Sequence, residues 1–444
     1  MMYSIDVLAA FDFLDKEVKV GTLEYERLKG SSSYRFACDE KFLESFPSIK
    51  LSADLGDFAG WQSARSDIFS FLGDALPDRW GRALVDKRER IIAQRENRIP
   101  RVFDDFGYLI RIDDSTRSGA LRFRYKGQYI GLQDDGPAVP PIASLDEFIR
   151  DAHQIERADD DGIDLVRDEW LLNVWRQGSS LGGARPKASI EDNGSLWIAK
   201  IPSAKDSYDI AIWEHFACVL AKKAGIDVAE TRIISAGPTP YHTLLSKRFD
   251  REGTSRVHFA SSLTLTGLRD GDNAENNKGY IDIVDAMAGD CGVADLRRNV
   301  TELFRRVVFN IIIGNHDDHF RNHGFLLRKE GWQLSPAYDI NPTNSLTQSL
   351  MISEKSNDSS LAELLEASDY YLIERHTAEE IMQQVLSVVE DWRTIARRSG
   401  ISSSEQQRFG KRIEYSLEEG RKLFPPLSFF PVKIQIKMDS VSLV

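Results

Sequence analysis

Short apolar runs broken by turn formers set the pattern of the first 140 residues. Val18-Lys19-Val20-Gly21-Thr22-Leu23, Tyr34-Arg35-Phe36-Ala37-Cys38 and the stretch from Gly119 to Tyr125 alternate apolar with polar positions, which predicts strands of a small sheet. Ile68 to Gln94 reads as helical, with a break at Pro77. The segment from Asp134 to Pro141 is dense in turn formers and predicts a boundary. Beyond it, Ser144 is the expected N-cap of a helix, with Asp146 and Glu147 in the first turn.

Asp192-Asn193-Gly194 lies between two apolar runs, Lys187 to Glu191 and Ser195 to Ile201, and predicts a tight hairpin. Ile210 to Ala224 has helical periodicity and stops at Gly225. Thr231 to Ile234 and Thr243 to Lys247 read as further strands. From residue 259 the pattern is mainly helical, apart from a hairpin between Gly324 and Leu334. The layout is α+β: a β-rich small lobe, then a helical large lobe. The expected divisions are 1–140, 141–255 and 256–444. The tail from Phe429 to Ile436 departs from this pattern.

At 444 residues the chain can bury a large core without disulfides. Its three cysteines, Cys38, Cys218 and Cys291, form no CxxC pair, which opposes a disulfide framework or a cysteine zinc site. The start, Met1 to Asp6, has no basic stretch, and no apolar run reaches membrane-span length, so a cytoplasmic protein with no membrane contact is expected. A net charge of −12 disfavours nonspecific nucleic-acid binding by the whole chain.

The chemistry concentrates in Ile313-Gly314-Asn315-His316-Asp317-Asp318-His319-Phe320-Arg321-Asn322, followed by Asp339 beyond the hairpin. An Asp, an Asn five residues on and a later Asp match the order of phosphoryl-transfer groups in protein kinases. Asp317 would take the proton of a substrate hydroxyl. Asn322 and Asp339 would offer oxygens to Mg²⁺, a hard cation. The apolar run Val307 to Ile313 would be a buried helix presenting this loop. Upstream, Gly178 to Lys187 is a glycine-rich turn ahead of a strand, which suits a lid over phosphates. Lys200 ends the next strand and suits the α- and β-phosphates, with Glu214 as its candidate partner. The alternative chemistry is a transition-metal phosphohydrolase site on His316, Asp317, His319 and His323. A catalytically silent kinase-fold scaffold is the non-enzyme alternative. Asp270 to Glu275 resembles a calcium loop but lacks its required Gly and Glu. Lys87-Arg88-Glu89-Arg90 and Arg397-Arg398 read as solvated helix faces.

Taken in order, Ser180-Leu181-Gly182-Gly183-Ala184-Arg185-Pro186-Lys187, Ile198-Ala199-Lys200-Ile201-Pro202, Lys247-Arg248-Phe249-Asp250-Arg251, the Asp317 loop and Pro336-Ala337-Tyr338-Asp339-Ile340 resemble the HipA family, the kinase toxins of HipA–HipB toxin–antitoxin modules. Ala75-Leu76-Pro77-Asp78 adds weaker likeness. The resemblance implies a protein-kinase-like two-lobed fold with an added N-terminal subdomain, ATP and Mg²⁺ as cofactors, and Asp317 as catalytic base. It implies metal binding by Asn322 and Asp339, and ATP binding by Gly182, Gly183, Ala184, Arg185, Pro186, Lys187, Lys200, His319, Phe320, Arg321, Asn322, Tyr338 and Asp339. Lys247, Arg248 and Phe249 match the interlobe hinge that holds adenine. Self-inhibition by autophosphorylation falls on Ser180, with Ser179 adjacent. A helix-turn-helix HipB-like antitoxin is the implied partner, with DNA reached mainly through that complex, and an aminoacyl-tRNA synthetase is the implied substrate. The chain departs from the family at Arg185-Pro186, and at Asp318, which adds like-charge repulsion beside the base.

Overall fold

The alternation near the N-terminus folds as an antiparallel sheet of six strands: β1 (Met2–Ala9), β2 (Val18–Leu28), β3 (Ser31–Cys38), β4 (Trp61–Ser63), β5 (Leu121–Tyr125) and β6 (Gln128–Tyr129), in the order β4-β3-β2-β1-β5-β6. The computed structural model describes residues 2–28, 31–64, 68–77, 79–131, 139–160 and 185–425. In this sheet Ile5 pairs with Leu23 and Val7 with Phe123, and all four are buried, so the period-2 pattern sets which face packs. The Ile68–Gln94 region divides into helices Ser70–Gly73 and Arg79–Arg95 on either side of Pro77. Ser144, the expected N-cap, instead closes a 3₁₀ turn, Ile142–Ser144, that runs into helix Leu145–Asp160.

A second sheet contains β7 (Lys187–Asp192), β8 (Ser195–Lys200), β9 (Thr231–Ile234) and β10 (Thr243–Lys247), ordered β7-β8-β10-β9. Asn193 and Gly194 both have positive φ, 50° and 72°, the backbone that a two-residue hairpin turn needs. Helix Ile210–Lys223 packs on this sheet and ends at Gly225, whose φ is 81°. The short strands β11 (Arg251–Glu252) and β12 (Ser255–Arg256) then lead into a three-stranded sheet of β13 (His258–Ser261), β14 (Gly324–Arg328) and β15 (Gly331–Leu334).

The helical part is built on Leu296–Ile313. The Asp295 carboxylate caps it by accepting the Arg298 N–H at 3.1 Å. Leu303, Phe304, Val307, Val308, Phe309 and Ile311 to Ile313 are fully buried, so the C-terminal two turns of the helix are enclosed, while Arg297 and Arg298 at its start are exposed. It stops at Gly314, where φ is 69° and an added Cβ would lie 2.4 Å from the Thr343 carbonyl oxygen. Only glycine fits there, and the loop carrying Asp317 starts at that point.

One apolar cluster runs from the N-terminal sheet into the helical part. A second gathers Trp80, Leu84 and Val85 against Leu145 to Ile155 and the inner face of the four-stranded sheet. A buried polar joint ties the N-terminal segment to the chain after β10. Arg248 pairs with Asp250 at 2.7 Å and donates to the carbonyls of Thr116 and Arg117, while Asp250 accepts the Gly119 N–H at 2.9 Å. Glu89, read as part of a solvated face, is instead buried and accepts from Arg98 at 2.5 Å and from the Arg101 N–H at 2.9 Å. No helix among the described residues is long and apolar enough to cross a membrane.

Candidate active site

Two neighbouring elements and one distant turn meet at one lysine. β8 delivers Lys200, helix Ile210–Lys223 delivers Glu214, and the turn after β15 delivers Asp339. The Lys200 Nζ lies 2.5 Å from Glu214 Oε1 and 2.7 Å from Asp339 Oδ1. Burial works against the lysine charge, but Asp339 and Glu214 outweigh it and hold its pKa above the usual lysine value. Burial alone would raise the Asp339 pKa; Lys200 and Lys187 override it and keep Asp339 below the usual carboxylate range. Lys187 is buried and sits opposite Lys200 in the β7–β8 register. Asp339 adopts a left-handed backbone, φ 58°, which turns its side chain back toward the lysine.

The loop from Gly314 to Asn322 is fixed by its own polar groups. The Asn322 amide donates to the Asp317 carbonyl at 2.8 Å, closing the loop between the two residues. That bond commits Nδ2, so the amide oxygen of Asn322 is the end left for a cation. Both donors to Asp339, Lys200 and Asn341, reach Oδ1, so Oδ2 is the complementary oxygen. An ionised carboxylate and an amide oxygen are a donor set that fits Mg²⁺, which takes one or two protein oxygens and fills its shell with phosphate and water. The Asp317 side chain is exposed. Phe320 is buried, and His319 is half-buried. Tyr338 donates to the Arg321 carbonyl at 2.5 Å, and its ring lies 5.5 Å from that of Phe249.

Several expected nucleotide contacts are redirected. Arg185 forms a forked pair with Asp206. Arg248 turns into the buried joint with Asp250, and Arg321 pairs with Asp270 at 3.0 Å. In this arrangement these guanidiniums face protein carboxylates. At the hinge, the Lys247 N–H donates to Glu230 O and the Arg248 N–H to Leu196 O, so adenine would have to use other backbone groups of Lys247 to Phe249. Pro186 is buried. A cleft of about 460 Å³ is lined by Lys247, Arg248 and Phe249 but by none of Lys200, Asp317 or Asp339, so it is distinct from the lysine site. Gly182, Gly183, Ala184, Ser179 and Ser180 lie outside the described residues, as do Asp78 and the tail from Phe429 to Ile436.

Asp318, expected beside the base, points the other way. Its carboxylate is buried and accepts from Tyr280 at 2.7 Å, Asn310 at 2.7 Å and His323 at 2.9 Å. Burial pushes its pKa up, and the His323 and Tyr280 bonds more than reverse that. The histidines of the rival metal site are likewise divided: His316 faces the Thr347 carbonyl at 2.6 Å, and His323 faces Asp318. Among the described residues no group of three His, Cys, Asp or Glu is arranged to hold a metal. Asn310, Asn315 and Asn341 were not singled out by sequence, although all three join this site.

The two lobes and the Lys200–Glu214–Asp339 cluster define a protein-kinase-like fold. The fold matches a chain of the Shewanella oneidensis MR-1 toxin–antitoxin complex of HipA, HipB and operator DNA, with a TM-score of 0.65 at 16% identity, covering 94% of this chain and 97% of that one. In sequence, the chain is 26% identical over 258 residues to the serine/threonine-protein kinase toxin HipA of S. oneidensis, covering 52% of this chain and 55% of that protein. It is 28% identical over 161 residues to Y4dM of Sinorhizobium fredii, a protein named for a kinase, covering 34% and 38% respectively. The aligned part is thus about half, or less, of the length of these curated relatives. Residues 179–392 match the family model of the HipA-like C-terminal domain. Residues 179–392 are thus similar to the HipA-like C-terminal domain, and the chain shares its fold with HipA.

Proposed function

We propose that this site transfers the γ-phosphoryl group of ATP to a serine or threonine hydroxyl of a protein. The observation that carries the reading is the buried Lys200 held between Glu214 and Asp339. Kinase sites use such a lysine–glutamate pair to seat the α- and β-phosphates. Asp317 accepts the proton of the attacking hydroxyl. Asn322 and Asp339 hold Mg²⁺, which when bound neutralises charge on the β- and γ-phosphates. Lys187 and Lys200 supply positive charge near the phosphates. His319, Phe320 and Tyr338 line the nucleotide side.

The wider reading follows from the HipA likeness. The chain acts as a growth-arresting toxin in the cytoplasm, with a helix-turn-helix HipB-like antitoxin as partner and DNA contact mainly through that complex. An aminoacyl-tRNA synthetase is its substrate, and phosphorylation of Ser180 or Ser179 switches it off, because a dianion in the glycine-rich loop competes with ATP phosphates. The divisions 1–140, 141–255 and 256–444 serve as N-terminal HipA-type subdomain, small lobe and large lobe. The test of the site is calorimetric titration with ATP in the presence of Mg²⁺. The wild type should bind, and Asp339→Asn should lose at least about tenfold in affinity, or ~1.4 kcal/mol. Equal binding by both proteins would remove the metal role of Asp339, and no binding by the wild type would remove the kinase reading.

A further inference from the structure

A line of buried amides connects Asp318 to Asp339 through residues that no phosphate or metal role uses. The Asn310 Nδ2 donates to Asp318 Oδ2 at 2.7 Å. The Asn315 Nδ2 donates to Asn310 Oδ1 at 3.2 Å. The Asn341 backbone N–H donates to Asn315 Oδ1 at 3.1 Å, and the Asn341 Nδ2 donates to Asp339 Oδ1 at 3.0 Å. Asp318, Asn310 and Asn315 are each at most 5% exposed. Tyr280, itself fully buried, anchors the far end by donating to Asp318.

The direction of this line follows from one residue. An ionised carboxylate only accepts hydrogen bonds, whereas an amide has one donating and one accepting end. Facing Asp318, Asn310 must present its NH₂ group, which turns its oxygen to Asn315. Asn315 must then present its own NH₂ there, which turns its oxygen to the Asn341 N–H. The acceptor-only Asp318 thereby sets the polarity of every amide up to the segment that carries Asp339. The same segment is pinned again two residues on, where Thr343 donates its N–H and its hydroxyl to the Gly314 carbonyl at 3.0 and 2.6 Å.

We propose that Asp318, Asn310 and Asn315 are positioning residues whose buried relay fixes Asp339 relative to the Asp317 loop. The proposal rests on the kinase reading above. In a polar interior the relay has one low-energy arrangement, because reversing any single amide would put like ends together at two contacts. Phosphoryl transfer depends on holding base, metal and phosphate in line, and a misplacement of ~1 Å can cost about 10²-fold in rate.

The test compares wild type, Asn315→Leu and Tyr280→Phe for kcat, ATP KM and the Mg²⁺ concentration giving half-maximal rate. Mg²⁺-dependent binding of a non-hydrolysable ATP analogue by calorimetry gives a readout apart from turnover. Leucine nearly preserves the Asn315 volume but can neither donate nor accept. Asn315→Leu should lower kcat about 10- to 100-fold and raise the half-saturating Mg²⁺ several-fold, with ATP KM changed by less than about threefold. Tyr280→Phe, which removes one donor to Asp318 and keeps the ring, should shift the same quantities the same way by a smaller factor, and it serves if Asn315→Leu does not fold. A merely structural role would lower the melting temperature and leave the Mg²⁺ requirement unchanged. Folded variants with wild-type kcat and Mg²⁺ requirement, beside an active wild type, would overturn the relay alone. A wild type that neither binds the analogue nor transfers phosphate would overturn the kinase reading and the relay with it.

Discussion

Lys200 and Asp339, 139 positions apart in sequence, meet at 2.7 Å, and Glu214 accepts from the same ammonium at 2.5 Å. A lysine shared by two carboxylates is both a phosphate seat and a structural pin. These two roles separate on mutation. Lys200→Met should reduce kcat/KM by at least about 10²-fold, the size of loss seen when a transition-state donor is removed. It also leaves Glu214, 4% exposed, without its cation, which should cost on the order of 3 kcal/mol of stability. The double variant Lys200→Met with Glu214→Gln should regain much of that stability in chemical denaturation and none of the activity.

Asp317 offers the opposite profile. Its side chain is exposed, so Asp317→Asn should leave the denaturation midpoint nearly unchanged. Turnover should fall by about 10²- to 10⁴-fold, the range for loss of a general base, while Mg²⁺–ATP affinity is retained. Steady-state kinetics and calorimetry on the same preparation distinguish this from a binding defect.

The joint at Asp250 is a stability element placed beside the hinge. Asp250 receives Arg248, Arg251 and the Gly119 N–H, and both guanidiniums are buried. Asp250→Ala strands two buried charges, so a loss of about 3–5 kcal/mol is expected in urea denaturation. Early proteolysis between the N-terminal sheet and β7 would locate the opening at this joint.

His258 gives the fold an acid-sensitive point. It is buried, stacks on Phe11 with ring centres 5.1 Å apart, and burial pushes its pKa down to about 3. An unfolded histidine titrates near ~6.5. Between those values the unfolded chain binds a proton that the folded chain does not, so stability falls as pH drops from about 6.5 toward 3. At pH 5.5 the loss is about 1.4 kcal/mol relative to neutral pH. His258→Phe should flatten the dependence of the denaturation midpoint over that window.

What the sequence displayed was local. The Asp192-Asn193-Gly194 turn, the helix from Ile210 and the apolar run into Ile313 are set by neighbours within a few residues, and they stand where the pattern put them. Motif order also brought forward Lys200 with Glu214 as its partner, and Asp317 with Asn322 and Asp339, but not the contact between Lys200 and Asp339. The fates of Arg185, Arg248, Arg321 and Asp318 depended on partners that folding brings in from elsewhere: the acceptors Asp206, the Thr116 carbonyl and Asp270 for the three arginines, and the donor Tyr280 for Asp318. A polar residue in a motif reads the same whether it faces ligand or protein. The order β4-β3-β2-β1-β5-β6 was hidden for a related reason, since β5 returns beside β1 from more than a hundred residues away. Asn310 lies inside the apolar run Val307 to Ile313, and its partners, Asp318 and Asn315, are met only once the Gly314 turn folds the chain back.

Phosphoryl transfer by the Asp317 site can be read by intact-mass and peptide mass spectrometry after incubation with ATP and Mg²⁺. Dephosphorylated wild type should gain a phosphoryl group on Ser179 or Ser180, and Asp317→Asn should gain none. Wild type that forms no ADP and gains no phosphate, while the Asp317→Asn control behaves identically, would contradict the account.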